Sequence, residues 1–217
     1  MKKTVKSILA GIFLFTLVSS AYSQSYSDDE MTYEPIHATL IPSTLNVEEN
    51  YTKDYRVYFS GDDIVFNTIN TKSPLTARST IKFTLPVNPK QDYEMEFTFT
   101  LPLKSEYSMG LGVGSVAVGF TKKSYSMISG GGNVVAGSGN KKKWKLPETG
   151  TKGQLKVNIE RRNKIISVFA NGEYLGEVND AKSTLQEMPV AINFFGFNKK
   201  EAMSFNAVRV DQGIENE

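Results

Sequence analysis

The sequence predicts an all-β chain, folded as an antiparallel two-sheet β-sandwich of the jelly-roll type. Three observations carry this. "YEMEFTFTL" (Tyr93–Leu101) alternates strictly, with Tyr93, Met95, Phe97 and Phe99 on one side and Glu94, Glu96, Thr98 and Thr100 on the other. That is the period of a strand with one wall on a core and one on water. "KVNIERRNKIISVFANGEYLGEV" (Lys156–Val178) reads as three strands joined by turns, the second turn being Asn171-Gly172, the pair best suited to the positive φ of a type I′ hairpin. No helical period longer than two turns occurs anywhere.

In chain order, "HATLIPSTLNV" from His37 is Thr- and Ser-rich and contains a proline, as an edge or connecting segment does. "YRVYFS" (Tyr55–Ser60) and "IVFNTIN" (Ile64–Asn70) are strands around Gly61-Asp62-Asp63. "STIKFTLPV" follows and is closed by Pro86 and Asn88-Pro89. "MGLGVGSVAVGF" (Met109–Phe120) reads as a strand whose glycines at 110, 112, 114 and 119 allow close approach of a backbone or ligand. A phosphate-binding loop would need a helix after these glycines, and β-formers follow instead. "SYSMIS" and "NVVAGSGN" flank the turn Gly130–Asn133. Leu155, Val157 and Ile159 alternate with Lys156, Asn158 and Glu160, and Arg162-Asn163 turn the chain. Ile166, Val168 and Ala170 share a face. "DAKSTLQEM" (Asp180–Met188) is a candidate short helix, and "PVAINFFGF" (Pro189–Phe197) and "MSFNAVRV" (Met203–Val210) close the series. About a dozen short strands separated by turn residues make a sandwich or barrel.

Residues 1–23 differ from the rest. Lys2, Lys3 and Lys6 precede the apolar run Ile8–Val18, and Ser19–Ser23 supplies small residues for a cut after Ser23. This is the layout of a secretory signal peptide. The 11-residue apolar run is too short to cross a hydrocarbon layer of ~30 Å. The expected organisation is signal peptide 1–23, flexible leader 24–35, one sandwich domain 36–212 and an acidic tail 213–217. Export places the mature chain in a periplasmic or extracellular setting, as a bacterial envelope protein with no transmembrane segment.

Removing residues 1–23 takes away three lysines and no acid, so the formal charge falls from +2 to −1. A chain without basic excess has little to offer a phosphate backbone, which argues against nucleic acid as a partner. The absence of cysteine excludes thiol nucleophiles and thiolate metal sites. A single histidine, His37, makes His-dependent triads and His-rich metal centres improbable. A chain of this length buries roughly 70% of its unfolded surface, enough for one core without disulfides.

The series "DYEMEFTFTL…GLGVGS…LKVNIERRNKIISVFANGEYLGEV…PVAINFFGF…MSFNAVRV" resembles the concanavalin A-like, laminin-G-like jelly rolls of secreted bacterial proteins, over about Tyr55 to Asp211. The resemblance implies two antiparallel sheets face to face, one curved so that its concave face can hold an extended glycan. It also marks departures. The laminarinase-like glucanases of this fold carry a Glu-x-Asp-x-x-Glu string, which aims an acid and a nucleophile at one sugar. This chain has only Glu94 and Glu96, without a third carboxylate. The alginate-lyase members place Arg, Gln, His and Tyr on the concave face, and His37 lies outside the matched region.

The expected function is therefore a non-catalytic, lectin-like module for a glycan or polysaccharide. The alternatives are a glycan-cleaving hydrolase or lyase with a non-standard acid pair, and an adhesion or structural subunit that meets another envelope protein. Sugar sites use an aromatic ring against the pyranose and polar groups for its hydroxyls. The candidates are Trp144, the only tryptophan, with Tyr125, Tyr107, Asn133 and Lys143, the last within the cationic run Lys141–Lys145. Asp62-Asp63 or the leader acids Asp28, Asp29 and Glu30 offer oxygens for calcium. No loop surrounds a single centre with several of them, so the expectation is no cofactor.

Overall fold

The computed structural model describes residues 35–48, 50–69, 77–102, 106–130, 132–137, 148–149, 152–196 and 202–213. Its described strands are β1 (Ile36–Leu40), β2 (Asn50–Tyr51), β3 (Tyr55–Ser60), β4 (Asp63–Thr68), β5 (Ala77–Leu85), β6 (Tyr93–Pro102), β7 (Tyr107–Val113), β8 (Val116–Thr121), β9 (Tyr125–Ser129), β10 (Val134–Gly137), β11 (Glu148–Thr149), β12 (Lys152–Arg162), β13 (Ile165–Ala170), β14 (Glu173–Asn179), β15 (Met188–Gly196) and β16 (Ala202–Gln212). They build two antiparallel sheets. The larger, of ten strands, runs β14-β13-β12-β6-β16-β4-β3-β2, with β1 on β16 and β11 on β12. The smaller, of six, runs β10-β9-β8-β7-β15-β5. Among the described residues the only helical turn is a 3-10 turn at Pro42–Thr44.

The core lies between the sheets because alternate side chains of both point inward. In β6 every second residue is buried, from Tyr93 to Leu101. Phenylalanines join the layers: Phe66 of β4 stacks on Phe194 of β15 at 5.6 Å, and Phe83 of β5 on Phe205 of β16 at 5.8 Å. Such contacts add about 0.5–1.5 kcal/mol to the burial of each ring. In β16, Phe205 and Val208 both face the core although three positions apart. A bulge between Phe205 and Ala207 turns the later residues inward. Asn206 sits there, accepting from Thr100 Oγ1 at 3.0 Å and donating to Ser204 Oγ.

Turn chemistry accounts for the meander. Asn171 and Gly172 have φ of 50° and 80°, as a type I′ turn requires. The preceding turn is one residue later than the sequence suggests: Asn163 and Lys164, with φ of 50° and 65°, are its central pair. Met109–Phe120 is not one strand but the hairpin β7–β8, because Gly114 at φ 53° turns the chain and pairs Val113 with Val116. Ile36–Leu40 pairs with β16 rather than only connecting. Asp180–Met188 is not a helix. Asp180 is fixed by side-chain bonds, one turn closes from Ser183 N–H to Asp180 O, and Met188 already starts β15.

Two devices hold the sheets together at their rims. At one, Arg161 of β12 donates to Asp180 Oδ2 at 3.0 Å, and Ser115, in the β7–β8 turn of the other sheet, donates to Asp180 Oδ1. Arg161 also reaches Asp92 at 3.3 Å. Burial, with the nearby Asp180 charge, pushes the Tyr93 phenol well above its ordinary range. At the other, β14 meets β9 and β10. Tyr125 donates its hydroxyl to Leu175 O, and a Cβ on Gly176 would lie 2.8 Å from that of Ala136, so only glycine fits.

Candidate functional site

The outer face of the six-stranded sheet follows from the same alternation that fills the core. In β7, Tyr107, Met109, Leu111 and Val113 point inward, which leaves Ser108, Gly110 and Gly112 outward. In β8 the outward positions are Ala117 and Gly119, and in β15 they are Ala191, Asn193 and Phe195. Strand register sorts these into rows across the sheet. One row is Arg78, Phe195, Ser108 and Thr121. The next is Thr80, Asn193, Gly110, Gly119, Ser126 and Gly137. The third is Lys82, Ala191, Gly112, Ala117 and Ile128.

The middle row is a trough. Its centre carries no side chain at Gly110 and Gly119, which like Ala117 are buried, while Gly112, Ala191 and Asn193 are half-buried and form the part that solvent reaches. Six strands at ~4.8 Å spacing give it a length of about 24 Å. A Cβ on Gly112 would meet nothing closer than Ala191 O at 3.8 Å, so the space directly above it admits a Cβ in ordinary contact. Polar groups sit at defined points. Thr80 Oγ1 donates to Asn193 Oδ1 at 2.7 Å, which fixes the amide and turns its N–H donors away from that bond. Ser108, 1% exposed, has a hydroxyl with no hydrogen-bond partner among the described residues. Buried hydroxyls are normally satisfied. Beside it Phe195 is half-buried on the same face. Arg78 and Lys82 are exposed, and neither has an ion-pair partner among the described residues.

The sequence candidates fall elsewhere. Tyr107 is 2% exposed and its ring packs in the core, not against solvent. Tyr125 is half-buried at the rim, where its hydroxyl reaches across to β14. Asn133 is exposed in the β9–β10 turn, where its carbonyl accepts from Ser129 N–H. Trp144 and Lys143 lie outside the described residues, as do the proposed signal peptide and the leader acids. The structure brings none of the described three together. Sequence reading missed Ser108, Asn193 and Phe195. The signal that finds them is strand parity: the glycines at 110 and 112 share Ser108's parity, and "FF" at 194–195 must turn one ring outward.

Glu94 and Glu96 do share the outer face of the ten-stranded sheet, but each is engaged. Arg209 reaches Glu94 at 3.1 Å and Lys156 reaches Glu96 at 2.8 Å. Among the described residues no group of three or more His, Cys, Asp or Glu is arranged to hold a metal ion. Asp62 accepts from Ser43 Oγ at 3.3 Å. No described helix is long and apolar enough to cross a membrane.

No protein-family model matches the chain, and no curated protein matches it in sequence. Solved structures do match in fold. The carbohydrate recognition domain of Emp46p, in its potassium-bound form, aligns with a TM-score of 0.55 at 8% identity, over 80% of this chain and 90% of that one. A protein of unknown function with a galectin-like fold from Bacillus subtilis aligns at 0.51 and 9%, over 82% and 98%. A sialidase aligns at 0.52 and 9%, over 82% of this chain but only 18% of that enzyme. Two antiparallel sheets, this strand order and these neighbours give the architecture: by its fold the chain is a concanavalin A-like jelly-roll β-sandwich.

Proposed function

We propose that this chain is a non-catalytic, lectin-like module that binds an oligosaccharide along the outer face of its six-stranded sheet. The observation that carries the reading is the trough itself. A floor of glycine and alanine lets a ligand approach the backbone. A fixed, half-buried amide, Asn193, offers its N–H donors to sugar hydroxyls beside the half-buried Phe195 ring. Apolar contact with a few convergent polar groups is the composition of small-ligand sites in general. The carbohydrate recognition domain among the structural neighbours supports the same reading. The outward strand positions described for this sheet carry no Asp or Glu, so the acid pair of a glycosidase has no donors there. The signal-peptide layout of residues 1–23 adds that the module works after export.

A glycan-array screen of the purified chain tests this, with Gly112→Leu as its partner. Binding by the native chain and its loss in Gly112→Leu support the trough. Retained binding in that variant moves the site elsewhere, and Trp144→Ala on the same array then asks whether the cationic segment holds it. No binding to any glycan leaves the adhesion-subunit alternative as the better reading.

A further inference from the structure

We infer, resting on the carbohydrate reading of the trough, that its ligand is an acidic saccharide whose carboxylate or sulfate is read at the β5 end by Arg78 and Lys82. Register places Arg78 opposite Phe195 and Lys82 opposite Ala191, with the Thr80–Asn193 pair between them. Both cations therefore stand on the trough face and flank its one fixed amide. Both are exposed and lack an ion-pair partner among the described residues. The only charged residues at the described outward strand positions are this pair, so no acid neutralises them there. Near the other end of the row, Glu106 is engaged with Lys123 at 3.6 Å. Unopposed like charges beside a recessed, low-dielectric floor concentrate potential and draw anions in. A guanidinium adds the two-pronged geometry that suits a carboxylate or sulfate.

A rival explanation is local. β5 is an edge strand, and charged side chains on edges discourage strand-to-strand aggregation. That role needs charge of either sign, whereas anion recognition needs positive charge, and the two separate cleanly. The test measures binding of the full chain, by calorimetry, to three oligosaccharides of matched length: a neutral glucan, a polyuronate and a sulfated glucan. Polyglutamate serves as a non-saccharide anion. The inference expects one of the acidic saccharides to bind at least about tenfold more tightly than the neutral one, with affinity falling as salt rises. The variants Arg78→Gln/Lys82→Gln and Lys82→Glu should each lower affinity for the acidic saccharide by about tenfold or more and for the neutral one by much less, so that the preference is lost. Lys82→Glu keeps the edge charged and so keeps its protection against strand-to-strand pairing. Equal binding of neutral and acidic glucans overturns the acidic reading and leaves the glycan reading standing. Equal binding of polyglutamate and the acidic saccharides overturns it as well. Binding to no saccharide removes both.

Discussion

The two outer faces of the sandwich are built by the same strand alternation and end up with opposite character. On the ten-stranded sheet the acids meet cations. Glu94 faces Arg209 and Arg162, Glu96 faces Lys156, and Asp211 takes Arg209 at 3.0 Å together with His37. Exposed pairs of this kind contribute roughly 0–1 kcal/mol each. They leave a face of long side chains, several of them tied to a neighbour of opposite charge. On the six-stranded sheet the central outward positions are Gly, Ala and Ser, and the two cations at the edge are unpaired among the described residues. One face ties several of its charges to one another. The other keeps an amide and two charges available. Availability, rather than the fold, distinguishes a candidate binding face from a solvated one.

The largest change comes from breaking what both faces share. Arg161 and Asp180 are buried, with side chains 6% and 3% exposed, and Ser115 ties them to the opposite sheet. Arg161→Met leaves a buried carboxylate without its guanidinium, which costs ~3–5 kcal/mol. Urea unfolding should show a midpoint lowered by that loss divided by the m-value. Arg161→Met/Asp180→Leu should recover most of it, since an apolar pair replaces an ion pair at little cost. A single-variant loss below ~1 kcal/mol would mean that this pair is not the clamp.

The next effect separates the faces. Gly112→Leu places a side chain over the trough floor, where a Cβ meets only ordinary contacts. Stability should change by less than ~1 kcal/mol, while glycan affinity drops about tenfold or more. Thermal unfolding beside calorimetric titration reads both. An affinity loss that merely tracks unfolding sinks the trough assignment.

Ser108→Ala sharpens it further, because it changes the sheet beneath the face without changing what a ligand touches. Removing a buried hydroxyl that lacks a described partner should stabilise the free protein by about 1 kcal/mol, the lower end of the cost of an unmet hydroxyl. Glycan affinity should stay within about twofold, since that hydroxyl is closed off from solvent. A fall in stability would show that Ser108 has an internal partner instead.

The sandwich was readable because its determinants are local. Strict alternation in Tyr93–Leu101 and the positive-φ pair Asn171-Gly172 act within a few residues, and the structure keeps both. The bulge at Asn206 was not readable, since "MSFNAVRV" looks like a plain strand until Phe205 and Val208 must both reach the core. The Gly-rich segment misled in its length: Gly114 both continues an apolar pattern and turns a hairpin. The site was least legible because it is assembled from distant strands. Thr80 and Asn193 stand 113 positions apart, and only sheet topology makes them neighbours. Tyr107 and Tyr125 drew attention as amphipathic rings. Tyr107's parity with Met109, Leu111 and Val113 already assigned it to the core.

The smallest expected effect tests the comparison from its quiet side. Glu94→Gln/Glu96→Gln removes the two acids of the ten-stranded sheet that most resemble a catalytic pair. Glu94 and Glu96 are 27% and 19% exposed, so solvent already screens their partners, and the loss should stay below ~1 kcal/mol for each. Arg162 and Lys156 lose these partners, while Arg209 keeps Asp211, and the face gains the kind of charge the trough edge carries naturally. If unpaired cations alone make an anion site, the double variant should gain affinity for the acidic oligosaccharides. If the recessed floor and fixed amide are also needed, calorimetry should show no second site and no change at the first. The comparison of the two faces favours the second outcome, because among the described residues the ten-stranded face has no row of glycines through which a ligand could reach its backbone.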